Sequence, residues 1–212
     1  MRLVSMDYAG TVALNAADGT GDRLDELDWQ LCRDCLAGDG DACSRLFKRH
    51  EPRIAHQMWR FSRNRATHGE LVQEVFVQAY LSLHRYRPTT VPLEHWLVRI
   101  ATRVGYRFWK QQARRRKTEP LGLDIPAPAS GADDAAEAAQ MLHKLLALLP
   151  AADRLVLTFM YFDDCNISEI ADRTGWNAAM VKMRLYRARN RLRKIIERRN
   201  LKEILGVGHG RA

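Results

Sequence analysis

The sequence predicts an all-α protein made of two small helical domains joined by a flexible linker. Apolar residues recur at spacings of three and four, no alternating strand pattern is sustained, and one Pro- and acid-rich stretch breaks the periodicity. A chain of 212 residues, 46% hydrophobic and 28% charged, has the composition of a soluble globular protein and excludes wholesale disorder. The formal net charge of +9 favours an acidic partner such as nucleic acid or anionic lipid. No run approaches the roughly 18 to 20 apolar residues of a membrane span, and Met1 to Gly10 lacks the apolar core of a signal peptide. The expected location is the cytoplasm.

Residues 1–30 hold six acids against two arginines among many Gly, Ala and Thr residues, and 1–24 read as a loosely ordered tail. The first domain spans 25–116. Its first helix is expected from Asp25 to Ala37, stopping at Gly38, which suits a C-terminal cap. A second helix starts at Asp41 and turns Leu46, Phe47, Ile54 and Met58 inward. A third, Gly69 to Leu83, carries Leu71, Val72, Val75, Phe76, Ala79 and Leu83 at helical spacing. The loop from Arg85 to Val91 leads to a fourth helix, Leu93 to Arg115. Glu119 to Ala139 holds Pro120, Pro126, Pro128, Ser130, Gly131 and several acids, with little to bury, so residues 117–139 are the predicted linker. The second domain, 140–200, opens with helices Met141–Leu149 and Arg154–Phe162. Two more helices follow across a tight turn, and 201–212 form a C-terminal tail.

Four cysteines, Cys32, Cys35, Cys43 and Cys165, are expected to stay as free thiols in a reducing compartment. Cys32 and Cys35 form a C-x-x-C pair, but Cys43 and His50 do not supply a second pair at matching spacing, so no metal site is expected. Leu31, Cys35 and Leu36 are read instead as the apolar face of the first helix.

On the fourth helix, Arg99, Arg103, Arg107, Lys110 and Arg114 share one stripe, opposite Leu97, Ile100, Ala101, Val104 and Phe108. No acid occurs between Arg99 and Lys117 to neutralise the stripe, which points to nucleic-acid contact. Tyr86, Trp96, Tyr106, Trp109, Trp59 and Phe61 lie nearby. Rings that stack on bases beside cations that track phosphates suit single strands, although the same rings also suit a core. Trp96, at the head of the helix, is the first candidate for contact.

In the second domain, Ile167 to Val181 has the layout of a helix-turn-helix. Ser168 opens a short helix, Ala171 is small where helices cross, Gly175 makes the turn, Trp176 fills the core and Asn177 caps the next helix. On that helix Val181, Leu185, Ala188, Leu192 and Ile195 cluster on one side. Lys182, Met183, Tyr186, Arg187, Asn190, Arg193 and Lys194 face away, as a groove-reading helix requires.

Three stretches together resemble a bacterial RNA polymerase sigma factor of the extracytoplasmic-function (ECF) group. Glu70-Leu71-Val72-Gln73-Glu74-Val75-Phe76-Val77 is similar to the family's polymerase-binding helix. Trp96-Leu97-Val98-Arg99-Ile100-Ala101 with the arginines beyond is similar to its promoter-melting helix. Leu149-Pro150, Ser168 to Ala171 and Val181 to Arg189 resemble its promoter-reading domain. The resemblance implies that Glu70, Gln73, Glu74 and Phe76 dock on the beta-prime clamp helices of core RNA polymerase, with the beta flap as a second contact. It implies that Trp96, Arg99, Arg103, Arg107, Lys110 and Arg114 face the minus-ten element. Lys182, Met183, Tyr186 and Arg187, with Arg193 and Lys194, face the minus-thirty-five element. It also implies an anti-sigma factor as a partner. Departures are Glu70 in place of Asp, Met180 and Met183 where small hydroxyl residues are common, and Gln111 and Gln112 where an acid is frequent.

The alternative is an ordinary helix-turn-helix regulator that does not bind core polymerase; a ligand pocket or dimer seam in its first domain would mark it. No metal-ligand cluster, phosphate loop, or Ser-His-Asp or Cys-His arrangement stands out, so neither catalytic residues nor a cofactor are expected and the chain is read as a non-enzyme.

Overall fold

The structure, a computed structural model, describes residues 19–87, 91–118 and 142–198. Every regular element among them is helical: α1 (Gly19–Leu36), α2 (Gly40–Met58), α3 (Arg65–Ser82), a 3-10 turn (Leu83–Arg85), α4 (Leu93–Thr118), α5 (142–146), α6 (Ala151–Tyr161), α7 (Ile167–Thr174) and α8 (Ala178–Arg198). Residues 119–139 of the predicted linker lie outside the described residues, as do residues 1–18 and 201–212 of the predicted tails. No described helix is long and apolar enough to cross a membrane.

Local chemistry sets the helix ends. Gly38 takes φ 99° after α1, and Asp39 accepts from Asp41 N and Ala42 N to start α2. α3 begins at Arg65 rather than Gly69, because the Asn64 side chain accepts from Thr67 N at 3.0 Å and caps the helix earlier. α7 is capped by Asn166, not opened by Ser168: Asn166 accepts from Glu169 N while Glu169 accepts from Asn166 N, a capping box that a hydroxyl two residues later does not supply. Gly175 ends α7 at φ 73°, and Asn177 accepts from Met180 N at 2.7 Å to open α8.

In the first half, Leu46, Ile54, Met58, Val75, Leu83, Leu97 and Ile100 are buried between α2, α3 and α4. In the second, Leu155, Val156, Phe159, Ile170, Val181 and Leu185 are buried between α6, α7 and α8. These cores are continuous, since α6 and α7 both pack on α4. The guanidinium of Arg154 lies 3.8 Å from the ring centroid of Trp109, and Arg60 pairs with Asp163 at 2.7 Å. Tyr106 and Trp176 meet edge to face at 5.8 Å.

Three expectations about the first helix fail, the first being its start, which lies at Gly19 rather than Asp25, so that residues 19–24 of the expected tail are helical. Leu36, the last residue of α1, is 51% exposed rather than part of the buried face. Cys35 is not a free thiol but is bonded to Cys43, since the tight Gly38 turn brings their Cα atoms to 4.8 Å.

Candidate protein and nucleic-acid interfaces

Of the docking residues expected on α3, Gln73 and Phe76 line a groove between α2 and α3, whereas Glu70 and Glu74 lie outside its lining and Glu74 turns toward α4. Glu70 and Gln73 are exposed, Glu74 is partly exposed, and the half-buried Phe76 ring sits 5.0 Å from Phe47. The groove has a volume of about 470 Å³ and is lined by Phe47, Lys48, Glu51, His68, Val72 and Gln73. His68 stacks on Trp59 at 4.2 Å and donates through Nε2 to Ala55 O at 2.8 Å, which fixes the groove's far wall. Beyond Phe76, α3 leaves Val77, Tyr80 and Leu81 in solvent, Leu81 at 61% exposure. Sequence reading missed these three. Their signal was there: Val77, Tyr80 and Leu81 fall outside the stripe of Leu71, Val72, Val75 and Ala79, so α3 carries more apolar residues than its buried face uses.

On α4, Arg103, Arg107, Lys110 and Arg114 are exposed on one side, and Leu97, Ile100, Ala101 and Val104 are buried on the other. Arg99 and Arg107 of the stripe reach acids on neighbouring helices. Arg99 faces Asp172 of α7 at 3.7 Å, and Arg107 Nη2 donates to Glu74 Oε1 at 2.7 Å. The aromatic neighbours divide sharply. Trp109 is buried and donates to Phe61 O at 2.9 Å, and Phe61 is buried against it at 4.6 Å, so both are core. Tyr86 is buried as well and donates to Val91 O at 3.1 Å. Trp96 is half-buried, 5.4 Å from Tyr86, and is the indole that keeps an open edge at the head of α4.

α8 sorts its arginines by face. Arg184 and Arg191 turn inward to the buried carboxylate of Asp153, and Arg184 also covers the Trp176 ring at 4.7 Å. Arg189 Nε donates to Tyr161 Oη at 2.9 Å. These contacts fix the rotation of α8 on α6 and leave Lys182, Met183, Tyr186, Arg187, Arg193 and Lys194 outward, with Tyr186 at 69% exposure. Asn190 is half-buried rather than fully outward. A second, apolar groove of about 400 Å³, also missed, runs between α5, α6 and α8 past Leu142, Leu146, Leu157 and Leu192. Nearby, His143 Nε2 accepts from Arg154 Nη2 at 3.0 Å. Burial, reinforced by Arg154 and Arg63, lowers its imidazole to about 4. No group of three or more His, Cys, Asp or Glu among the described residues is placed to hold a metal ion.

Comparison with known proteins adds independent findings. The pattern described as Sigma-70 region 2 matches residues 46–115, and that described as Sigma-70, region 4 matches residues 139–192. The RNA polymerase sigma factor SigV of Bacillus subtilis is 30% identical over 120 residues, covering 56% of this chain and 69% of that protein. The ECF RNA polymerase sigma factor SigM of Mycobacterium tuberculosis is 27% identical over 184 residues, covering 85% of this chain and 90% of that one. Among solved structures, CnrH in its complex with the cytosolic domain of CnrY shares the fold. Its TM-score is 0.51 at 22% identity, over 81% of this chain and 97% of that chain.

Proposed function

We propose, from the premise that this chain belongs to the ECF group of sigma-70 RNA polymerase sigma factors, a division of labour among its three surfaces. The protein is a transcription initiation factor that binds core RNA polymerase and promoter DNA. Glu70, Gln73, Glu74 and Phe76 dock on the beta-prime clamp helices, and Val77, Tyr80 and Leu81 extend that face. Trp96, Arg99, Arg103, Arg107, Lys110 and Arg114 hold the melted minus-ten element. Lys182, Met183, Tyr186 and Arg187 read the minus-thirty-five element in a major groove, with Arg193 and Lys194 on phosphates. The units run over 25–116 and 140–200, joined by 117–139, and act in the cytoplasm, where an anti-sigma factor restrains them.

The energetics suit binding rather than catalysis. Opening DNA costs roughly 1.4 kcal/mol of stacking per base-pair step, and a captured base returns about 1–3 kcal/mol by stacking on an aromatic ring. Cations along α4 hold the separated strand while Trp96 offers a ring at its head. A few captured bases therefore bias melting without any bond being broken by this chain.

The observation that carries the assignment is the sorting of α8: Arg184, Arg189 and Arg191 are engaged within the fold, while Lys182, Met183, Tyr186 and Arg187 stand free of it in solvent. The test is size-exclusion chromatography of the full chain with sigma-free core polymerase. Co-elution at moderate ionic strength is expected. Promoter binding without co-elution would favour the helix-turn-helix regulator instead.

A further inference from the structure

The Cys35–Cys43 disulfide ties the last turn of α1 to the first turn of α2 across the Gly38 turn. Cys35 is buried, and Cys43 is partly exposed. The remaining cysteines, Cys32 and Cys165, are buried and free, and burial pushes their thiols up to about 12 and about 11. Such thiols hold almost no thiolate at neutral pH and do not compete in disulfide exchange. Exchange chemistry is thereby directed to one pair.

That pair adjoins the docking groove. Cys43 and Phe47 are four residues apart and share a face of α2, and Phe47 holds the Phe76 ring at 5.0 Å. Ser44, the next residue in the chain, lines the same groove together with Gln73 and Phe76. A covalent link at Cys43 therefore acts one helical turn from Phe47, which in turn touches the Phe76 ring assigned to polymerase. Disulfides in a reducing cytoplasm are uncommon, and those that form there are usually redox-responsive rather than structural.

We infer that Cys35 and Cys43 form a redox-reversible modification site that controls the shape of the polymerase-docking groove, an inference that rests on reading the α2–α3 face as that docking site. The oxidant is a low-molecular-weight disulfide. The Cys43 thiolate attacks one of its sulfurs, forming a mixed disulfide and expelling one thiolate. Cys35 then loses its proton and attacks the Cys43 sulfur, expelling the second thiolate. The two released thiolates take up the two protons, so the protein dithiol is oxidised by two electrons and the external disulfide is reduced to two thiols. Excess small thiol runs the sequence backwards. The oxidised form holds the start of α2 against α1 and pre-organises Phe47 and Phe76 for docking; the reduced form keeps only the non-covalent packing of α1.

The test uses the full chain equilibrated in buffers of varied oxidised-to-reduced glutathione ratio. Denaturing alkylation then counts thiols by mass, and binding to sigma-free core polymerase is measured on the same samples. Four alkylated thiols are expected under reduction and two under oxidation, with the oxidised form binding core polymerase about threefold more tightly or better. Cys43→Ser should match the reduced wild type in both core affinity and thermal midpoint at every ratio. Four alkylated thiols at all ratios would overturn the inference, and so would a disulfide that forms without changing core affinity. If neither redox form binds core polymerase, the docking reading itself fails, and the thiol count still reports whether the pair oxidises.

Discussion

The guanidinium of Arg107 donates to the carboxylate of Glu74 at 2.7 Å, joining a residue of the cationic stripe on α4 to a residue of the docking helix α3. The surface proposed for DNA and the surface proposed for polymerase thus share an edge. Both side chains are about half exposed, and an exposed ion pair contributes only about 0–1 kcal/mol. Glu74→Gln and Arg107→Gln should each move the unfolding free energy by less than about 1 kcal/mol. Their functional effects should separate, Glu74→Gln weakening polymerase binding and Arg107→Gln weakening promoter opening. Urea unfolding with both binding assays checks this; a large stability loss from either change would make the pair structural instead.

Arg187 and Arg191 lie four residues apart on α8 yet serve different ends, Arg187 outward and Arg191 paired with the buried Asp153. Arg187→Ala should weaken binding to the cognate promoter by about 1–3 kcal/mol, the usual worth of a good base contact, with core-polymerase affinity unchanged. Asp153→Ala should instead destabilise the fold by about 1–3 kcal/mol, by leaving two arginines without their shared acceptor. Gel-shift titration and thermal unfolding distinguish the two. Equal promoter binding by wild type and Arg187→Ala would remove that arginine from the reading face.

Gly105 sits where α4 crosses Phe61. A Cβ added there would lie 2.4 Å from three atoms of the Phe61 ring. Exchanging Gly for Ala inside a helix ordinarily stabilises by roughly 1 kcal/mol. Phe61 has no room to retreat, because it is buried against Trp109 at 4.6 Å, and overpacking of this kind costs about 1–3 kcal/mol. The clash therefore wins, and Gly105→Ala should lower the thermal midpoint. A raised midpoint would show that the ring can move.

His143 gives the second half an acid sensitivity. Its imidazole is lowered from 6.5 to about 4, first by burial and then by Arg154, whose Nη2 it accepts. The folded state therefore binds this proton less readily than the unfolded chain. The stability it contributes is complete above about pH 6.5 and is lost as pH falls toward 4. His143→Gln keeps an acceptor for Arg154 and does not titrate. Urea unfolding at pH 7.5, 5.5 and 4.5 should show a steeper decline for the wild type; parallel declines would count against the assignment.

The sequence announced those features that repeat along a helix and missed those that depend on folding back. The two faces of α8 were readable because Val181, Leu185 and Ala188 recur at helical spacing, and burial follows that pattern. The cationic stripe of α4 was readable for the same reason. The cap on α7 was misplaced by two residues, because Ser168 and Asn166 are both good capping residues and only the reciprocal bond to Glu169 decides between them. The Cys35–Cys43 bond was missed because the separation created by a Gly38 turn is a property of the backbone and leaves no periodic trace. The contact of Arg154 with Trp109 joins distant parts of the chain and has no local signal at all.

The most direct measurement is run-off transcription by sigma-free core polymerase on a genomic promoter library, with this chain as the added factor. Defined start sites should appear only when the chain is present, disappear with Gln73→Ala, which removes a side chain of the docking groove, and weaken with Arg187→Ala at unchanged start positions. Transcript patterns identical with and without the chain would contradict the account.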